Sequence, residues 1–247
     1  MNKGIGFSRT ILLDWLDATA SLCIQNIETA EIRQRLSHII SDTVQGSEAQ
    51  RKTIDVLLAI WEKSKKSIPM LHGMALEIYP SLSTSYERVW LHYGLSLAYY
   101  PIFRKCTSVI GQVGRTEETI TRNIVKDRVA ADYGHLGALD RSVERIIASL
   151  TNWGVLINTS DRSIYKIQLQ KFKTQNTLME SWLLACALES HPSDGIPFND
   201  LIHLPELFPF LITMGVDALR KTPYIEILRQ GGGFDIVQLK KDYVKNY

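Results

Sequence analysis

The stretch GALDRSVERIIASLTNWGVL, residues 137–156, constrains the fold more than any other part of the chain. Val143, Ile146, Ile147 and Leu150 recur at i, i+3, i+4 and i+7, so they share one face of a helix. Arg141, Ser142, Arg145 and Ser149 fall on roughly the opposite face. Gly154 stops the helix, and VLINTSDRSIYKI (155–167) gives two runs of β-formers around a polar turn, a hairpin signal. Upstream, 117–133 reads as a helix capped by Thr116, with Glu117 and Glu118 in its first turn. GHLGA (134–138) is a tight turn, and Asp140 is the expected cap of the second helix. Helix, tight turn, amphipathic helix and hairpin, in this order, is the plan of a winged helix-turn-helix unit.

In such a unit the second helix packs its apolar face inward and offers its outer face to the major groove, which admits one α-helix. Arg141 and Arg145 then reach guanine edges or phosphates, and Ser142 and Ser149 donate to phosphates. Arg162 and Lys166, on the hairpin wing, meet adjacent backbone phosphates. The competing reading is a solvated helix face. Glu144 stands between the two arginines and can pair with one of them. From Arg115 to Lys173 there are ten Lys/Arg against seven Asp/Glu, so the case for DNA rests on architecture rather than on charge.

The N-terminal 68 residues read as three helices. The third opens on Ser47 and Gln50, the S-x-x-Q form of a capping box, and buries Ile54, Leu57, Leu58 and Trp61 at the same apolar spacing. Its exposed residues are Glu48, Arg51, Lys52 and Asp55. Arg51 and Lys52, near the helix start, suit phosphate contacts; equally, the two acids make this a charge-balanced surface. Residues 70–112 are helical and rich in aromatics, a stripe expected in the core. A helix from Leu178 to Ser190 and short pieces broken by Pro205 and Pro209 come next. Strands at Tyr224–Leu228 and Phe234–Leu239 then flank a glycine turn. The expected fold is mainly α: tandem helix-turn-helix and winged-helix units with short β-hairpin wings. The expected divisions are 1–68, 69–173 and 174–247.

A net charge of +2 does not by itself mark a nucleic-acid binder. Cys23, Cys106 and Cys186 lie far apart with no zinc spacing, which points to reduced, buried thiols and a cytoplasmic location. The most apolar stretch, VWLHYGLSLAYYPIF (89–103), is shorter than the roughly 20 residues of a membrane span, so no membrane association is expected. Neither nucleotide loops nor zincin, esterase or kinase motifs occur, and no cofactor is expected. His135, in the turn before the amphipathic helix, suits surface or phosphate contact better than catalysis.

In layout, SEAQRKTIDVLLAIW and LDRSVERIIASLTNWGVL, a helix-turn-helix-like N-terminal unit followed by a winged one, resemble the BrxA proteins of bacterial BREX phage-defence systems. The resemblance covers about the first two thirds of the chain and carries over no individual residues. It implies a non-enzymatic DNA-binding component of a multi-protein defence system. The expected function is therefore an accessory or regulatory protein that binds double-stranded DNA, alongside other proteins of a defence complex. The rival is a protein–protein adaptor built on the same folds; weaker still is an enzyme subunit whose site is assembled from distant positions.

Overall fold

The computed structural model describes residues 6–134, 136–230 and 233–240. The chain is mainly α, 61% helix against 11% strand, with two small antiparallel three-stranded sheets among the described residues. His135, Gly231 and Gly232 lie outside the described residues.

The N-terminal helices are α1 (Leu13–Ile24), α2 (Thr29–Ile40) and α3 (Ser47–Leu58). Gly46 precedes α3 at φ +87°, a conformation that favours glycine, and no side chain caps this end. The expected capping box is therefore not formed: Gln50 donates instead to the Val44 carbonyl at 3.0 Å. The helix continues through a π turn (Ala59–Lys63) into α4 (Ser64–Ser67), and Pro69 opens α5 (Pro69–Ile78). A π turn inserts one extra residue into the helical ladder and turns the downstream face. Here it buries Ile60 and Trp61 while leaving Lys63 exposed.

α6 (Ser85–Tyr99) is the central helix. A complete capping box, Thr84 with Glu87, starts it, and every residue from Val89 to Ala98 is buried. A helix apolar all round needs cover on all sides. That cover comes from α1, α7 (Pro101–Gly114), α10 (Thr177–Ser190) and the π turn. Gly94 allows the approach of α10: a Cβ there would sit 2.6 Å from Trp182 Cη2. Trp61, Trp90, Tyr93 and Trp182 are fully buried; of the aromatic stripe, Tyr79, Trp90, Tyr93, Tyr100 and Phe103 take the expected core placement, whereas Tyr86 is exposed and Tyr99 half-buried. One buried cluster runs through all three expected divisions. Trp182 Nε1 donates to the Leu71 carbonyl at 2.9 Å across two of them.

A polar chain crosses this core. Trp61 Nε1 donates to His92 Nδ1 at 3.0 Å, so the proton of this imidazole is on Nε2, which faces Asp17 Oδ1 at 2.7 Å. Arg88 and Ser85 also hold Asp17. His72 Nε2 meets the Trp61 carbonyl at 2.7 Å. Burial holds both imidazoles below the ordinary histidine range, outweighing Asp17 at His92 and the carbonyl at His72. Unfolding therefore takes up protons once pH falls below the unfolded value of about 6.5. Stability should be level above that pH and decline beneath it, toward a limit of about 1.4 kcal/mol per pH unit for each histidine. Urea unfolding at pH 7.5 and 5.5 checks this; equal free energies would mean that the imidazoles are protonated in the native state.

The middle of the chain continues from α7 into β1 (Thr119–Thr121), α8 (Arg122–Tyr133), α9 (Gly137–Asn152), β2 (Leu156–Asn158) and β3 (Ile164–Ile167). Thr116 does not cap a helix at 117. Thr119, Ile120 and Thr121 are β-branched and pair antiparallel with Lys166, Tyr165 and Ile164; Ile120 is buried. Thr121 then caps α8, accepting from Ile124 N at 3.3 Å. The sheet order is β1-β3-β2. The C-terminal part adds β4 (Gly195–Pro197), α11 (Phe198–Leu201), α12 (Val216–Leu219), β5 (Ile225–Gln230) and β6 (Phe234–Leu239). β6 lies between β4 and β5, so the expected hairpin gains a third strand.

Candidate nucleic-acid interface

α9 buries Leu139, Val143, Ile146, Ile147 and Leu150. It starts at Gly137, which leaves Asp140 in the first turn rather than at the cap. Gly154, at φ +73°, ends it in the left-handed conformation common after helices. The outer stripe carries Arg141, Glu144, Arg145 and Ala148, with both arginines exposed. Glu144 does not pair with either arginine. It takes Lys126 of α8 at 2.6 Å, and this bond, with Arg122 and Arg145 adding long-range attraction, lowers its pKa. Arg141 and Arg145 are left with no ion pair or side-chain hydrogen bond among the described residues.

Ser142 and Ser149 require correction: both are buried. At about 100° per residue they fall a quarter-turn from the apolar centre of the helix, on its flank rather than opposite. The N-terminal arm, residues 6–12, covers that flank. Ser149 Oγ accepts from Ile11 N at 2.8 Å and donates to the Arg145 carbonyl, while Trp153 Nε1 donates to the Ile11 carbonyl at 2.9 Å. Asn152 Oδ1 accepts from Leu13 N at 2.7 Å. Phe7 fixes the arm by packing on Tyr100, Phe103 and Trp153. Neither serine is on the exposed face of α9.

The β2–β3 turn is built by Asp161, whose Oδ1 accepts from both N and Oγ of Ser163 at 2.7 Å. Arg122 braces the turn, donating to Tyr165 Oη at 2.7 Å and to the Arg162 carbonyl at 3.3 Å. The side chains of Arg162 and Lys166 are exposed and carry no ion pair among the described residues. Nothing in the sequence singles out Arg128 of α8, yet it too is exposed and unpaired among the described residues.

Arg51 and Lys52 stand differently. Glu48 meets Arg51 at 2.9 Å and Lys52 at 2.9 Å, and Asp55 meets Arg51 at 3.3 Å and Arg33 at 2.8 Å. The bonds from Arg51 and then Lys52 hold Glu48 down to about 2. This is the charge-balanced alternative, so α3 brings no unpaired cation from these two positions.

Among the described residues no group of three or more His, Cys, Asp or Glu is placed to hold a metal. No described helix is long and apolar enough to cross a membrane. The three cysteines are buried and unbridged. No family model, curated protein or solved structure matches the chain.

The core role of α9 has a direct measure. Ile147 is 1% exposed. Ile147→Ala should destabilise the protein by about 2–5 kcal/mol, read by urea unfolding; a loss under about 0.5 kcal/mol would mean that this face is not inward.

Proposed function

We propose that the chain is a double-stranded DNA-binding protein whose winged helix-turn-helix unit, α7 through β3, lays α9 in the major groove. The observation that carries this reading is the pair Arg141 and Arg145: exposed, one turn apart on the outer stripe of α9, and without an ion pair among the described residues, Glu144 being bonded to Lys126. The element order and the β1-β3-β2 sheet support it, since a wing of this kind follows the reading helix directly. Arg162 and Lys166 then sit on backbone phosphates. The N-terminal helices serve as a second, helix-turn-helix-like unit whose arm braces α9 from behind. The resemblance to BrxA proteins gives this activity a setting, as an accessory component of a phage-defence system.

A protein–protein adaptor is the second reading, favoured by Tyr133, Leu136 and Ile157, which are exposed at the α8–α9 turn and on the sheet. Salt separates the two. Four cations on phosphates give a slope of log K against log salt of about −3 to −4, whereas an apolar interface responds weakly. Fluorescence anisotropy with a labelled 20-base-pair duplex between 50 and 200 mM salt measures it. Absence of binding at 50 mM removes the DNA reading.

A further inference from the structure

The edge strands of the two sheets are not alike. β1, β2 and β4 are three residues long, whereas β5 has six and pairs with β6 in unbroken register. Short length, proline, lysine and bulges are the usual protection of a free strand edge. β4 is short and carries Pro197; β5 has no proline, lysine or bulge.

The ladder shows which backbone groups of β5 face outward. Lys240 N donates to the Tyr224 carbonyl at 3.0 Å, so this opposed pair is hydrogen-bonded. Opposed residues of an antiparallel ladder alternate between bonded and non-bonded pairs. Glu226 and Leu228 therefore turn their backbone groups toward β6, and Ile227 and Arg229 turn theirs to the free edge. Pro197 fits the same count: it stands opposite Ile236, whose backbone points to β5, so β6 needs no N–H from it. The N–H and C=O of Ile227 and Arg229 have no partner among the described residues. Ile225 is closed to a neighbour, being buried, with its N–H donating to the Thr222 carbonyl at 3.4 Å.

A strand edge of this kind is complementary in donors and acceptors to a second copy of itself, related by a two-fold axis normal to the sheet. Such an axis opposes residues of like facing, so it passes through Leu228 or Ile227. An axis at Ile227 needs the closed Ile225. An axis at Leu228 sets Ile227 of each copy opposite Arg229 of the other, and each such pair exchanges both backbone bonds. It also sets Leu228 opposite its counterpart. Leu228 is 43% exposed and lies in one row with the half-buried Ile236 and Pro197 on the outer face of the sheet. Across the axis the two rows become one apolar band.

We propose that two copies of the chain associate through β5, pairing antiparallel about Leu228 and joining their C-terminal sheets into one. The inference is independent of the DNA reading. One short strand makes a contact smaller than the roughly 800 Å² per partner of a standard stable interface, so the dimer should form only at micromolar concentrations and above.

Sedimentation equilibrium of the full chain from about 5 to 500 µM should show a mean mass rising from 28.1 kDa toward twice that value. Leu228→Lys sets like charges directly opposite on the axis and should stay monomeric throughout; its melting temperature should hold, because Leu228 is exposed. Leu228→Cys reads the register. The Cα atoms of a non-bonded pair lie about 4.5 Å apart, within disulfide range. Cys23, Cys106 and Cys186 are buried, so only the new thiol is open to oxidation by diamide. Leu228→Cys should form a covalent dimer at least tenfold faster than Phe234→Cys, whose position is still more exposed but lies off the axis. A monomer at every concentration, a dimer that persists in Leu228→Lys, or equally fast cross-linking of Phe234→Cys would each overturn the proposal.

Discussion

The double variant Arg141→Glu, Arg145→Glu should bind duplex DNA on the order of 100-fold more weakly than the wild type, with its melting temperature almost unchanged. A well-placed arginine contributes about 1–3 kcal/mol of base discrimination, and two are removed. Two carboxylates then face the phosphates, so repulsion adds to the loss. The salt slope should also flatten by about one unit for each phosphate that is no longer neutralised. The fold should tolerate the change, because both side chains are exposed and unpaired among the described residues, and surface changes of this kind usually stay within about 0.5 kcal/mol. Parallel anisotropy and thermal melts check both halves. An unchanged dissociation constant would mean that α9 is not the reader; a melting temperature lowered by many degrees would mean that the arginines are structural.

Gly111→Ala should be the most damaging single-methyl change in the helices. Gly111 of α7 faces the backbone of Pro205: an added Cβ would lie 2.6 Å from the carbonyl carbon and nearer still to its oxygen. Backbone cannot swing aside as a side-chain tip can. The segment is also pinned, since Tyr93 Oη donates to the Glu206 carbonyl at 2.6 Å and Arg104 Nε meets the buried Glu206 carboxylate at 2.9 Å. Retreat would break a hydrogen bond and a buried ion pair. Overpacking against such a neighbour should destabilise by about 3 kcal/mol or more, or roughly 10 °C in melting temperature for a chain of this size. Gly137→Ala is the control: it adds the same methyl where no atom lies within 4 Å, and should melt near the wild type. A Gly111→Ala variant as stable as that control would contradict the close approach of α7 to Pro205.

What the sequence reveals depends on the range of the interactions involved. The apolar face of α9, the β2–β3 hairpin and the α10 helix are local periodicities, and they stand where the residues indicate. β1 is not legible as a strand, because Glu117 and Glu118 resemble a helix start and three β-branched residues make no pattern of their own; pairing with β3 decides it. Ser142 and Ser149 sit elsewhere than their spacing suggests because the arm that covers them comes from more than 130 residues away and has no period of its own. The partner of Glu144 is on α8, across the helix turn, where spacing within α9 gives no signal. By contrast, the ion pairs of Arg51 and Lys52 are within one or two turns of α3, and the residue spacing there already admits them as an alternative.

The claim that α9, and not α3, faces the duplex is tested most directly by site-specific cross-linking. Cys23, Cys106 and Cys186 are all buried, so a thiol placed on the surface can be labelled selectively. Ala148→Cys places a benzophenone maleimide on the outer stripe of α9, beside Arg141 and Arg145; Arg51→Cys places one on α3. Irradiated with a labelled duplex at 50 mM salt, the conjugate at position 148 should cross-link to DNA, with a yield that falls steeply by 200 mM, and the conjugate at position 51 should give little product. Cross-linking from position 51 without any from position 148 would contradict the account.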